Sequence, residues 1–210
     1  MQEENTVFER TYQHYISQIR NLPLASVAER IGAVRIDGGL RIPLFGQSFE
    51  VSAAGITDTD GRRPSYDVCV ILSKRLLLSL QTPAQAGGNW VSFKDFRDSR
   101  PLHNFFAHDV EGAIAGKFSG RIKALKQACA SLGGYGPDLQ VSYDLAMQFD
   151  ALPMIPLILL FNDADAEFQA SSSILFLART EVFLDAECIA MVGSLLCRKL
   201  GQAKLQENRG

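Results

Sequence analysis

Apolar residues recur along this chain at two different periods. Phe8, Tyr12, Tyr15, Ile16 and Ile19 fall at i, i+4, i+7, i+8 and i+11, the stripe of an amphipathic helix. Thr6 and Glu9 fit a capping box at its start. Pro23 and Gly32 bracket a second expected helix from Leu24 to Ile31. The period then drops to two: Leu40, Ile42 and Leu44 alternate, followed by Phe49 and Val51. Gly46-Gln47 between them predicts a type II′ hairpin turn, and Pro43, which lacks a ladder donor, predicts an edge strand. "TDTDGRRP", 57–64, reads as a polar turn, and the almost wholly apolar run Ser65 to Leu80 is long enough to favour a buried helix.

The second half begins after "TPAQAGG", 82–88, a loop that marks an internal boundary. "NWVSFKDF", 89–96, reads as a short strand with aromatic anchors, and residues 101–131 as mainly helical, closed by "GGYGP". Leu139, Val141, Tyr143, Leu145, Met147 and Phe149 alternate without a break, the cleanest strand signal in the chain. A turn at Asp150 to Pro153 leads to Met154–Phe161, a continuous apolar strand buried on both faces. "SSSILFLA", 171–178, is a further strand, and Asp185 caps a last helix that Gly201 is expected to stop. Strands joined by short turns and segregated from helices predict an α+β fold, an antiparallel or mixed sheet with helices packed against it. The chain is expected to form one domain over residues 1–210, with closely packed sub-lobes at 1–82 and 89–202.

Composition narrows the function classes. Hydrophobic residues make up 47% of the 210, enough for a sizeable core, and the formal net charge of −2 offers no basic field for nucleic acid or an anionic membrane. Charges run through Met1 to Arg20 and the longest apolar run carries Pro153 and Pro156, so neither a signal peptide nor a membrane span is expected. Cys69, Cys129, Cys188 and Cys197 form no C-x-x-C pair, so the chain has no cluster-binding cysteine motif. Reduced, packed thiols and a cytoplasmic location are the expectation.

From "WVSFKDF" through "LGGYG" to "LPMIPLILLFNDADAEFQASSSILF" and "FLDAECIAMV", the chain resembles an uncharacterised family of bacterial and archaeal domains, the domain-of-unknown-function family DUF3786. The resemblance runs roughly from Phe8 to Leu196, and is most specific at the proline-containing apolar strand and the acidic loop after it. The family pattern places a proline where this chain has Gln169 and an aspartate where it has Leu177. No reaction comes with the resemblance. Some relatives are similar to fusions with a cysteine-rich iron–sulfur domain of the corrinoid-protein type, which implies a setting in redox or one-carbon metabolism and an iron–sulfur or corrinoid protein as partner.

Three groups of residues carry candidate chemistry. In "FNDADAEF", Asp163, Asp165 and Glu167 point to one face if the segment is extended, and three such carboxylates suit a divalent cation. The spacing is not an EF-hand, because its sixth position is Phe168, and a solvated Asx-rich turn is the plainer reading. His103 and His108 are five apart, about 140° on an α-helix, so they form no helical metal pair, but His108 beside Asp109 is a candidate base. Trp90, Phe93 and Arg97 can stack a planar ligand, although such aromatics more often anchor a loop to the core. The glycine pairs at 38–39, 87–88 and 133–134 match no phosphate loop, and no G-x-S-x-G or S-x-x-K is present. The expectation is a soluble, non-catalytic binding or accessory domain for a small ligand or a partner protein in redox or cofactor metabolism. The alternative is a metal-dependent enzyme using the acidic loop with His108 as base, and a structural subunit of a larger assembly is a third.

Overall fold

The apolar run after Met154 becomes the middle of a sheet. In the computed structural model, which describes residues 2–80, 88–140 and 142–207 (the side chains of 2–6 and 204–207 apart), it forms strand β7, Ile155–Asn162. β7 pairs antiparallel with β6, Leu145–Leu152, on one side and with β8, Ser171–Leu177, on the other. Leu157 to Phe161 are all buried, because a strand flanked on both edges and covered on both faces has no solvent side for a polar residue. A short strand β5, Trp90–Ser92, completes the order β5-β8-β7-β6.

A second antiparallel sheet precedes it: β1 (Val34–Ile36), β2 (Gly39–Leu44), β3 (Gln47–Ser52) and β4 (Gly55–Asp58), in chain order. β2 packs against β6. The weld between the sheets is the β2–β3 turn, where Phe45 N donates to Ala151 O at 2.9 Å and the Phe45 ring meets Phe149 edge-on at 6.2 Å. Helix α1 (Gln2–Ile19), α2 (Leu24–Ile31) and α3 (Tyr66–Leu78) lie on the side of the first sheet in sequence. After β5 come α4 (His103–Phe105), a π-helix (Phe106–Gly112), α5 (Ala113–Phe118) and α6 (Ile122–Ser131), and after β8 come α7 (Thr180–Phe183) and α8 (Ala186–Glu207). α8 touches α3, α5, α6, α7 and the π-helix, so it joins the two groups of helices. Two four-stranded antiparallel sheets with helices packed on them make an α+β fold. Among the described residues no helix is long and apolar enough to cross a membrane.

Several expected elements shift, each for a local reason. The hairpin turn is Phe45-Gly46, not Gly46-Gln47: φ is 49° and 74°, the two positive values of a type I′ turn. Phe45 tolerates the left-handed region because its ring is buried and its N–H is bonded across to the other sheet. β2 is internal rather than at an edge, yet β1 pairs only as far as Arg41, so Pro43 lies where β2 has lost its outer neighbour. The long alternation begins as a strand only at Leu145, since β7 ends opposite it and leaves Leu139 and Tyr143 exposed without a partner strand; Val141 lies outside the described residues. The loop expected at 82–88 is described only at Gly88. α1 starts at Gln2, which puts Thr6 inside it, and Glu9 binds Gln13 and Arg63 instead of a cap. Gly201 does not end α8; a side chain there would strike the Lys117 ammonium. Asp185 does cap α8, accepting from Cys188 N at 3.0 Å, and Lys74 pairs with it at 2.9 Å.

One buried group lacks its expected complement. Arg75 on α3 is 1% exposed, lies over the Phe183 ring at 4.7 Å, and its Nε meets no hydrogen-bond partner among the described residues. Burial alone pushes its guanidinium down to about 10. A buried charge without a counterion costs more in desolvation than its contacts return. Arg75→Met, which keeps the apolar stem, is expected to raise stability by about 1 kcal/mol, while Arg75→Ala lowers it by about 2 kcal/mol through the cavity it leaves. Urea denaturation of the two variants measures the difference.

Candidate functional site

β5 is too short for its neighbour. It pairs only with Leu175, Phe176 and Leu177 of β8, so among the described residues the other half of that strand has no partner strand on its outer side. The π-helix fills the vacancy. Glu111 Oε1 accepts Ile174 N at 2.7 Å, and Ser172 Oγ donates to Glu111 O at 2.6 Å. A carboxylate and a carbonyl thus stand in for the missing strand, as an otherwise unpaired backbone donor requires. The wider i→i+5 winding of Phe106–Gly112 is the local irregularity that often accompanies function. It is held from behind by α8, where Gly193 leaves room for Phe106: a Cβ there would lie 2.5 Å from Phe106 Cε2.

Between the π-helix, β8 and the turn after β5 lies a pocket of about 270 Å³. Phe93 and Phe106, stacked at 4.3 Å and both buried, form its floor. Its polar lining includes Lys94, His103, Asn104, Glu111 and Ser173. The 3-10 turn Phe93–Asp95 places Phe93 and Lys94, and Asp95 Oδ2 holds that turn by accepting Ser92 N at 2.9 Å and Ser92 Oγ at 2.7 Å. Those bonds keep the Asp95 carboxyl below its ordinary value. His103 Nε2 lies 2.8 Å from Ser99 Oγ. Ser99 Oγ donates its proton to Phe96 O at 2.7 Å, which leaves the serine oxygen to accept from His103 Nε2.

Burial raises the Glu111 carboxyl, outweighing the Ile174 N–H and the nearby Lys94 charge, which both pull it down. A half-buried, proton-sensitive carboxyl converging with a lysine and a histidine over an aromatic floor has the makings of a small-molecule site.

The other predicted residues fall elsewhere. Of Trp90, Phe93 and Arg97, only Phe93 lines this pocket: Trp90 pairs with Leu177 in the sheet, and Arg97 borders a separate hollow of about 350 Å³ beside Glu181 and Asp185. His108 is exposed and borders neither of these, and its Nδ1 donates to Asn104 O at 2.8 Å, so a carbonyl rather than Asp109 orients the ring. The acidic loop is not extended. β7 ends at Asn162, and Asp163 Oδ1 accepts Gly120 N at 2.6 Å and Ala164 N at 2.9 Å. Asp165 Oδ1 accepts Glu167 N and Phe168 N, two bonds that hold its carboxyl below the usual range. Asp163 and Asp165, with Asp144, line an open groove of about 840 Å³ beside Phe168, which is 69% exposed, while Glu167 is not among the residues lining it. Among the described residues no three His, Cys, Asp or Glu side chains are placed to hold a metal ion. All four cysteines are free and buried, and burial raises each thiol, Cys69 to about 11 and Cys129 to about 12. They are therefore protonated near neutrality and poor nucleophiles.

A family model described as Domain of unknown function (DUF3786) matches residues 23–199, and the chain belongs to that family. The matched span contains the whole pocket and the whole acidic groove. No curated protein and no solved structure matches the chain.

The raised Glu111 carboxyl has a defined pH signature. A carboxyl whose native value lies above its unfolded value stabilises the fold while protonated, and loses that contribution as pH rises through its native value. Glu111→Gln keeps an oxygen for Ile174 N–H but cannot ionise. From about pH 4 to pH 7 the melting temperature of the wild type is expected to fall relative to Glu111→Gln. Parallel thermal melts across that range measure the divergence.

Proposed function

We propose that this member of the DUF3786 family is a binding domain that holds a small molecule in the pocket beside the π-helix and acts with a partner protein in redox or cofactor metabolism, without chemistry of its own. The observation that supports this reading is the convergence of Glu111, His103 and Lys94 over the Phe93–Phe106 floor in one pocket. Its volume lies just below the roughly 300–1,000 Å³ of drug-sized sites, so the ligand is small. The metabolic setting rests on the family resemblance alone. With no cluster-binding cysteine spacing and four buried thiols here, an iron–sulfur cluster in this setting would be held by the partner.

A second reading, a metal-dependent enzyme on the acidic loop, is favoured by one observation: the groove that gathers Asp144, Asp163 and Asp165. Against it, these carboxylates spend oxygens on backbone N–H groups, and no histidine lines the groove. Amide chemical shifts of the ¹⁵N-labelled chain separate the two. A library of small polar fragments is expected to shift Phe93, Lys94, Asn104, Glu111 and Ser173, while Mn²⁺ leaves Asp163 to Phe168 unbroadened. Saturable Mn²⁺ broadening of the loop, with no fragment response at the pocket, transfers the function to the groove.

A further inference from the structure

We infer that the pocket beside the π-helix takes a small zwitterion, a molecule carrying one ammonium and one carboxylate on a short apolar linker. The inference rests on the binding reading above and names the ligand's chemistry. The pocket offers both kinds of complement. Glu111 commits Oε1 to Ile174 N, and among the described residues Oε2 receives no hydrogen bond. His103, whose Nε2 is tied to Ser99, lines the same pocket beside that free oxygen's carboxylate, which is the complement to an ammonium. Lys94 supplies the opposite charge: it acts on both Glu111 and Asp95, yet forms no salt bridge among the described residues. The Asn104 amide adds a donor at the same mouth.

A neutral ligand leaves the half-buried Glu111 without a charged partner as it displaces its water, and makes no use of the exposed Lys94 at the pocket's edge. A simple cation or anion answers one and strands the other. A zwitterion answers both with no net charge brought in, pairing the half-buried carboxylate as it is desolvated and meeting the exposed ammonium at the edge. The stacked Phe93 and Phe106 rings suit a methylene linker, and about 270 Å³ excludes a nucleotide or a macrocycle.

The test uses the full chain, ¹⁵N-labelled, titrated near neutral pH with glycine, β-alanine, 4-aminobutyrate and 5-aminovalerate, and with acetate, methylammonium and neutral acetamide as controls. At least one amino acid is expected to shift Lys94, Asn104, Glu111 and Ser173 and to bind about tenfold more tightly than acetate or methylammonium. Glu111→Gln and Lys94→Met are each expected to remove that advantage while leaving the remaining amide spectrum in place. If acetamide or a singly charged control binds the pocket as tightly as every amino acid, the zwitterion inference falls and the binding reading stands. If neither these probes nor the polar fragment library moves the pocket residues, both fall.

Discussion

Among the described residues half of one strand edge lacks a neighbouring strand, and the organisation of the candidate site depends on how that edge is closed. β5 reaches only the last three residues of β8, so the outward N–H of Ile174 has no strand to meet. A backbone donor left unpaired inside the protein costs on the order of 1–3 kcal/mol. Glu111 meets that donor from a helix, and a helix can bring a carboxylate to the sheet edge only where its winding and position allow. The π-helix, the glycine of α8 behind it and the aromatic stack beneath it all bear on that contact.

The same contact is what gives the pocket its chemistry. A carboxylate recruited to close a sheet edge is half-buried, has one oxygen engaged and keeps a second for something else. Lys94 and His103 reach the same space from the turn that follows β5 and from the helix that precedes the π-turn. The closure of the sheet edge and the lining of the candidate pocket therefore share one residue. The acidic groove differs: its aspartates are engaged mainly in holding the exit from β7 to the α5–α6 turn and to Asp144. The remaining oddity, the buried Arg75 on Phe183, lies in the helical packing and lines none of the pockets described above.

Much of the fold was legible in the sequence because burial writes a period into it. The Leu24–Ile31 helix with its left-handed Gly32, the buried helix after Ser65, the strands at 155–162 and 171–177 and the Asp185 cap all follow from local pattern. The misread features depend on partners that local pattern does not contain. Leu139 to Tyr143 alternates like a strand, but a strand also needs a neighbour, and β7 stops at Asn162. Gly201 looks like a stop, but α8 runs on through it to Glu207. The site was legible only in part. The aromatic stretch contained Phe93, which lines the pocket, but of the histidines the sequence singled out His108, which does not, and passed over His103. Glu111 carried no signal: in sequence it is one more acid on a helix, and its role comes from the length of a strand nearly twenty residues away in the chain and the edge of another some sixty residues on.

The Glu111 side chain closes the free edge of β8. Amide hydrogen exchange of Ile174, compared between the wild type and Glu111→Ala, tests it most directly. The account predicts slow exchange in the wild type and acceleration by about tenfold or more in the variant, confined to Ile174 and its neighbours on the outer side of β8. Equal exchange at Ile174 in both proteins, with the variant folded, would show that another group closes the edge and that Glu111 is not the hinge between sheet and pocket.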